Sequence, residues 1–209
     1  MSWETAFALI GFAFVMSISP GPANFLLLAS GVNFGFARSL PLVFGISLGF
    51  LSMVLLVGLG LGRLLETIPI VYTAIKIVCA GYVLYLAWKI ARSRSIGPDG
   101  QPTIEKPMSF FHAAILQLVN PKAWVVAVIV TVAYTDPGSP LTSLIAIIGL
   151  FALVNLPSIS VWAVSGAAFR RLIGDGRVVV FVNIALALLL VGSMIPVLLS
   201  SFEGPMFVP

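Results

Sequence analysis

Two proline motifs lie inside apolar stretches of the chain, and their residue types suit the binding of a small anion. The first is Ser19-Pro20-Gly21-Pro22 and the second is Asn120-Pro121-Lys122. Proline removes a backbone donor and interrupts the helical hydrogen-bond ladder, so a new half-helix is expected to begin at each motif. Such a helix start presents unpaired amide groups and the positive end of the helix dipole, which suit a carboxylate.

Lys122 places a positive charge deep within the apolar stretch 108–134. A charged side chain near the middle of a bilayer is costly unless it faces a partner or a water-filled cavity. We therefore interpret Lys122 as a residue that meets a substrate carboxylate or serves as a gate. The alternative is structural, with the ammonium reaching the membrane interface or binding a carbonyl that the broken helix frees.

Amide and hydroxyl side chains lie near both motifs. Asn24 follows the first motif and can donate or accept a hydrogen bond. Ser17, seven residues before Asn24, is expected on the same helical face. Gln117 and Asn120 are three residues apart and are predicted to share a face next to the second motif.

A polar and aromatic stripe is predicted on a later apolar stretch, where Asn155, Ser158 and Trp162 are spaced by three and four residues. Pro157 is expected to interrupt this helix as well. Hydrogen bonding between helices explains Asn155 equally well. The predicted substrate-binding residues are Ser19, Pro20, Gly21, Pro22, Asn24, Gln117, Asn120, Pro121, Lys122, Asn155 and Trp162.

The acidic residues exclude one way of moving protons through the membrane. All seven lie at termini, in loops or at the ends of apolar stretches: Glu4, Glu66, Asp99, Glu105, Asp136, Asp175 and Glu203. A relay of buried carboxylates is therefore absent. If a proton crosses with a solute, Lys122, His112 or the amine of the solute must carry it, although a lone interfacial histidine is more typical of an anchor.

The composition identifies an integral membrane protein. Of 209 residues, 60% are hydrophobic and 9% are charged, whereas about a quarter of a soluble domain is charged. The charges separate six apolar stretches, each longer than the roughly 20 residues that a spanning helix needs. We expect an all-α membrane protein in which residues 1–209 form one transmembrane domain. The six predicted spans are 4–30, 39–62, 70–91, 108–134, 141–167 and 178–201.

Three spans in each half force the two halves into opposite orientations, which predicts a 3+3 inverted repeat. Repeat 1 covers about 1–92 and repeat 2 about 108–209, joined by a cytoplasmic linker at about 93–107 that is rich in turn-forming residues. The proline motifs fall at matching places, so the first and fourth helices are predicted to be broken. Two such breaks indicate a transport site at the interface of the repeats.

Basic residues predict the orientation of the chain. Eight of them flank the first, third and fifth connections: Arg38, Lys89, Arg92, Arg94, Lys106, Arg170, Arg171 and Arg177. The opposite side carries Arg63, with Lys76 just inside the third span. Cytoplasmic connections carry the excess of lysine and arginine, so both termini are predicted outside. The orientation rule accounts for these basic residues, so the net charge of +4 does not indicate a nucleic-acid partner.

Gly45 and Gly49 form a G-x-x-x-G pattern in the second predicted span. Small residues allow membrane helices to approach closely, and packing within one bundle is favoured here over a dimer face. A homo-oligomer remains an alternative to a monomer. The expected partners are a small solute, membrane lipid and, if transport is coupled, protons. We expect no cofactor and no bound metal.

These motifs carry a resemblance to a known family. A P-G-P motif and an N-P-K motif at this spacing, in a chain with six predicted spans, resemble the LysE/RhtB amino-acid exporter family. One branch, the cysteine/O-acetylserine exporters, is similar in further segments. They are Ser47-Leu48-Gly49-Phe50, Leu86-Ala87-Trp88-Lys89-Ile90-Ala91, Lys106-Pro107-Met108-Ser109-Phe110, Gln117-Leu118-Val119-Asn120 and Asn183-Ile184-Ala185-Leu186.

The resemblance implies export of small amino acids or their derivatives across the cytoplasmic membrane. The implied substrates are cysteine and O-acetylserine, or neutral amino acids like homoserine and threonine, moved by alternating access with or without proton coupling. Some lysine-exporting relatives have an acid near the position of Phe50, so its absence argues against a dibasic substrate. The expected protein is a secondary transporter and not an enzyme.

Two other classes of protein remain as alternatives. An intramembrane enzyme could use Ser165 and His112 as a nucleophile and base, but Ala163-Val164-Ser165-Gly166 does not complete a G-x-S-x-G signature. A channel-like membrane protein is the other alternative. The sequence contains no ring of acids and no filter-like run that would favour ion selectivity.

Overall fold

The structure is a computed structural model that describes residues 1–61, 69–92, 107–172, 176–193 and 195. All regular secondary structure in these ranges is helical. Arg63 and nearly all of the predicted linker lie outside the described residues. The α-helices are α1 (Trp3–Ile18), α2 (Pro22–Phe34), α3 (Phe36–Leu56), α4 (Pro69–Ala91), α5 (Phe110–Leu118), α6 (Pro121–Tyr134), α7 (Pro140–Leu172) and α8 (Gly176–Gly192), and a π-helical segment (Val57–Leu61) continues α3.

Both proline motifs lie at sharp bends between consecutive helices. The axes of α1 and α2 meet at 57°, and those of α5 and α6 meet at 68°. Pro22 is the first residue of α2, and Pro121 is the first residue of α6. Proline is tolerated there because the first turn of a helix has no acceptor for its amide. Each motif therefore ends one helix and starts the next.

The described residues include two unbroken helices that are long and apolar enough to cross a membrane, judged by length and composition. They cover Phe36–Gly60 and Pro140–Arg171. The count becomes four when each bent pair is taken as one broken span. The third and sixth predicted spans correspond to α4 and α8, parts of which lie outside the residues whose side chains are described. The total of six spans therefore stays a prediction.

Each long helix packs against the bent pair of the other half. α3 lies against α5 and α6, whereas α7 lies against α1 and α2. Glycines permit these contacts, since a Cβ atom on Gly45 or Gly49 would meet the backbone of α5. In the same way, a Cβ atom on Gly31 of α2 would meet the backbone of α7, and one on Gly166 of α7 would meet the backbone of α2. The G-x-x-x-G pattern thus packs within the bundle.

The expectation that Pro157 interrupts its helix is wrong. α7 continues through Pro157 from Pro140 to Leu172. Pro157 is exposed on the surface of the bundle, so its ring does not disturb helix packing. The hydroxyls of Ser158 and Ser160 bond to carbonyls one turn back, at 2.7 Å each.

Apolar packing closes the end of the bundle that contains the start of α1. Leu9 and Ala13 of α1 meet Met53 of α3, Val130 of α6 and Ile147 of α7, all fully buried. Large apolar side chains also cover the outer surface of the bundle, as expected for a surface in contact with lipid. They include Trp3, Phe7, Phe111, Leu153 and Phe181.

Candidate functional site

The carbonyl groups at the end of α1 accept hydrogen bonds from three side chains on three other helices. Asn24 Nδ2 on α2 donates to the carbonyls of Ser17 and Ser19, at 2.8 Å each. Trp162 Nε1 on α7 donates to the carbonyl of Ile18 at 3.1 Å. Lys122 Nζ on α6 donates to the carbonyl of Ser19 at 2.7 Å. The last carbonyls of a helix have no partner within that helix, so these side chains supply the cap.

Lys122 connects the two halves of the chain at this cap. Its ammonium also donates to the hydroxyl of Ser19 at 2.8 Å. The negative end of the α1 dipole stabilises the positive charge, and no acidic residue forms part of the contact. An ammonium has three N–H donors. Two of these donors have acceptors among the described residues.

Gly21 makes room for the lysine side chain. A Cβ atom at this position would stand 3.0 Å from Cδ of Lys122. The backbone of Gly21 is extended, with φ −178°, so any residue could adopt its conformation. The reason for glycine here is space for Lys122, and the sequence alone did not indicate this contact between residues far apart in the chain.

The two half-helices that follow the breaks start without a side-chain cap. Gly21 precedes α2 and Asn120 precedes α6, and neither start has a side-chain hydrogen bond to its free amides. The first backbone bond of α2 runs from the amide of Phe25 to the carbonyl of Gly21, at 3.0 Å. The amides of Ala23 and Asn24 therefore lie in the uncapped first turn, where an anion is favoured.

A cavity lies between the two breaks. Its volume is about 50 Å³, measured as the space that the centre of a water molecule can occupy. One water needs about 10–15 Å³ on this measure, so the cavity holds a few waters or one small solute. No described residue that lines it is acidic. Six residues of the predicted binding set line it: Gly21, Asn24, Gln117, Asn120, Lys122 and Asn155.

Three buried polar atoms on these lining residues lack a hydrogen-bond partner among the described residues. They are Gln117 Nε2, Asn120 Oδ1 and Asn155 Oδ1. The other amide atoms are paired, since Asn120 Nδ2 donates to Gln117 Oε1 at 3.1 Å and Asn155 Nδ2 donates to Ser17 Oγ at 2.9 Å. A buried unpaired polar atom costs about 1–3 kcal/mol. One donor and two acceptors on these three residues are therefore left unpaired.

The remaining predicted residues take other positions. Trp162 packs edge-on against Phe25, with ring centroids 5.8 Å apart, and caps α1 without lining the cavity. Ser19 accepts a hydrogen bond from the ammonium of Lys122, and Pro20 is exposed at the bend. Pro22 and Pro121 begin their helices. Ser158, noted in the same stripe as Asn155, bonds within α7.

The sequence interpretation noted the position of Phe50 but did not predict an apolar wall of the cavity. Ile46 and Phe50 line it from α3, and Phe151 lines it from α7 next to Asn155. A signal was present, because Ile46 and Phe50 are four residues apart, as are Phe151 and Asn155. Such pairs share a helical face. Apolar residues are so frequent in this chain that the spacing alone did not distinguish these two rings.

A second polar cluster ties the far end of α2 to its neighbours. Asn33 on α2 and Asn183 on α8 exchange two amide hydrogen bonds, at 3.1 and 3.3 Å. Arg170 on α7 donates to the carbonyl of Asn33 at 3.1 Å. The hydroxyls of Ser30 and Ser39 meet at 2.7 Å. Polar bonds thus hold this end of the bundle, whereas apolar contacts close the other.

The dyad of the enzyme alternative has no support in the structure. His112 is exposed, and its Nδ1 contacts the hydroxyl of Ser109 at 3.0 Å. Ser165 is exposed on α7 beside the buried Gly166. Neither residue lines the cavity.

Apolar helices around a cavity that lysine and amide side chains line together with apolar ones are those of a multi-pass helical membrane protein. The family model described as "LysE type translocator" matches residues 14–200. The chain belongs to this family of translocators, and it is not an enzyme. The resemblance noted in the sequence is thereby confirmed.

Several curated relatives are similar to the chain over most of their length. The cysteine/O-acetylserine efflux protein of Escherichia coli O1:K1 / APEC is 35% identical over 183 residues, which are 86% of this chain and 90% of the relative. The proteins of the same name from Salmonella typhimurium (strain LT2) and Escherichia coli O157:H7 are each 34% identical over the same length and shares. No solved structure matches the chain.

Proposed function

We propose that the protein exports small amino acids or their derivatives from the cytoplasm across the cytoplasmic membrane. The names of the relatives make cysteine and O-acetylserine the first substrates to test, followed by homoserine and threonine. The observation that carries the proposal is the cavity between the two breaks, where Lys122 joins the halves and buried polar atoms lack partners.

The carboxylate of the solute binds where positive charge and free donors converge. The third N–H of Lys122 and the uncapped amides of Ala23 and Asn24 belong to residues that line the cavity. A carboxylate accepts bonds from both kinds of donor. Because the ammonium also holds Ser19, the solute has to share or displace that contact.

The amino group of the solute binds the unpaired amide oxygens. Asn155 Oδ1 and Asn120 Oδ1 are buried acceptors without a partner among the described residues. A protonated amine brings three donors and would satisfy both. Gln117 Nε2 is a free donor for the carboxylate or for a polar atom on the solute's side chain. This complement of donors and acceptors fits a zwitterion.

Six spans in a 3+3 inverted repeat, with both termini outside, are the membrane arrangement that we propose. The crossed packing of α3 and α7 on the opposite bent pairs supports a repeat. Alternating access then consists of the halves rocking about the cavity, with the bends acting as hinges. The linker and Arg38, Arg170 and Arg171 would lie on the cytoplasmic side.

Counterflow in proteoliposomes tests this function. Vesicles preloaded with cysteine, O-acetylserine, homoserine, threonine, leucine or lysine are assayed with and without an imposed pH gradient. The proposal predicts saturable exchange of small neutral amino acids, and an effect of the gradient would identify proton coupling. A channel would instead give flux without saturation or counterflow. Folded protein that exchanges none of these solutes would contradict the proposal.

A further inference from the structure

We propose that Phe50 and Phe151 set the upper limit on the side chain of the transported solute, so that the carrier accepts short side chains and rejects bulky ones. The inference rests on the proposed function. It assigns specificity to two aromatic residues in addition to the polar residues that bind the amino-acid backbone.

The two rings form one continuous wall of the cavity. Phe50 extends from α3 and Phe151 from α7, with ring centroids 5.0 Å apart and planes inclined by 48°. Their exposed fractions are 6% and 1%, and both line the cavity. Tilted aromatic pairs at this separation are mutually attractive, so the wall is held in place by its own contact.

Packing behind the rings prevents the wall from retreating. Phe50 and Phe151 belong to the apolar cluster that also contains Met53, Val54 and Ile147, each fully buried. Protein interiors are packed at the density of organic crystals and offer little space for a displaced ring. A larger side chain on the solute would therefore meet the rings as a fixed obstacle.

The wall lies where the side chain of a bound amino acid is expected. Asn155, which would hold the amino group, follows Phe151 by one helical turn on the same face of α7. Lys122, which would hold the carboxylate, extends from the start of α6 and places its ammonium on Ser19 at the first bend. With both charged groups bound to polar residues, the third substituent on the α-carbon turns towards the apolar side of the cavity.

Replacing either aromatic side chain by a methyl group tests the proposal, because the variant should gain transport of bulkier solutes. Counterflow of cysteine, leucine and phenylalanine is measured for the wild type, Phe50→Ala and Phe151→Ala. The rate of leucine relative to cysteine should rise about tenfold or more in the variants, since pockets discriminate added methylenes by at least this factor. Phe12→Ala is the matched control, because this ring packs on Tyr134 and is not among the residues that line the cavity.

Milder variants keep the test decisive if an alanine variant fails to fold. Phe50→Leu and Phe151→Leu remove less apolar volume than the alanine variants and should admit leucine to a smaller degree. Folding is checked by size-exclusion chromatography in detergent. An unchanged ratio of leucine to cysteine in folded variants would overturn the role of the rings while leaving the transport function intact. Absence of any exchange by the wild type would instead overturn the proposed function.

Discussion

The ammonium of Lys122 lies 2.7 Å from the carbonyl oxygen of Ser19 and 2.8 Å from its hydroxyl. A residue of the second half thereby closes the helix end of the first half, 103 positions away in sequence. In the absence of solute, the lysine has its counter-charge in the dipole of α1. Under the proposed function, a bound carboxylate would compete for the same ammonium and would link binding to the contact between the halves.

Gly21→Ala should impair transport through Lys122 without straining the backbone. The added Cβ would stand 3.0 Å from Cδ of Lys122 and would displace the side chain by a few tenths of an ångström. We expect a several-fold lower counterflow rate with little change in the unfolding temperature. Gly11→Ala serves as the control, since nothing lies within 4 Å of its Cβ position. Equal rates in both variants would show that the lysine geometry is not critical.

Trp162→Phe separates a structural cap from a contact with the solute. The variant keeps an aromatic ring near Phe25 but loses the donor to the carbonyl of Ile18. A lost hydrogen bond of this kind costs about 0.5–1.5 kcal/mol. Thermal unfolding should detect that loss, while half-saturation in counterflow should stay near the wild-type value. A marked change in half-saturation with unchanged stability would instead place Trp162 in contact with the solute.

Asn183→Ala should destabilise the arginine-bearing end of the bundle. It removes one member of the reciprocal pair and leaves the buried amide of Asn33 with fewer partners. The expected cost is about 1–3 kcal/mol in the free energy of unfolding. Because the residues share two bonds, the double variant with Asn33→Ala should lose less than the sum of the single variants. Additive losses would mean that the two amides act independently.

The hydrogen bonds of the Asp136 carboxylate should make the stability of the fold depend on pH. The backbone amide of Gly138 and the hydroxyl of Ser139 donate to it, at 2.9 and 2.8 Å, and together lower its pKa below the usual value. A carboxylate with a lowered pKa stabilises the fold above the unfolded-state pKa, near 4, and this contribution disappears as the pH falls further. Asp136→Asn should therefore show a smaller loss of thermal stability on acidification, measured between about pH 6 and pH 3. An identical acid profile in the variant would assign no such role to this turn.

Local features of the sequence placed several residues correctly near one another. Proline marks the end of a helix, and amides or a lysine within apolar sequence indicate a polar cavity, so Asn120, Lys122 and Asn155 could be selected before the structure was known. Their partners could not be selected in this way. The bond from Lys122 to Ser19 and the bond from Trp162 to Ile18 depend on how helices from the two halves pack.

The aromatic wall and Pro157 show the limits of sequence patterns in a membrane protein. Phe50 and Phe151 are two of 15 phenylalanines, and their apolar character fits lipid, packing and a cavity wall equally well. Pro157 was expected to break its helix because proline removes a donor. On the exposed face of α7, with serine hydroxyls nearby, the helix continues through it.

The most direct test of the account compares an amino acid with its carboxamide in wild-type protein and in Lys122→Ala. The amide retains the amine and the side chain but lacks the negative charge that the lysine would bind. Wild-type protein should strongly prefer the amino acid. Lys122→Ala should lower amino-acid exchange about a hundredfold, which corresponds to losing roughly 3 kcal/mol from a buried charge pair, and should abolish the preference. Lys89→Ala, an exposed lysine on α4, is the control. Folded Lys122→Ala protein that still prefers the amino acid would contradict the account and leave Lys122 as a helix cap.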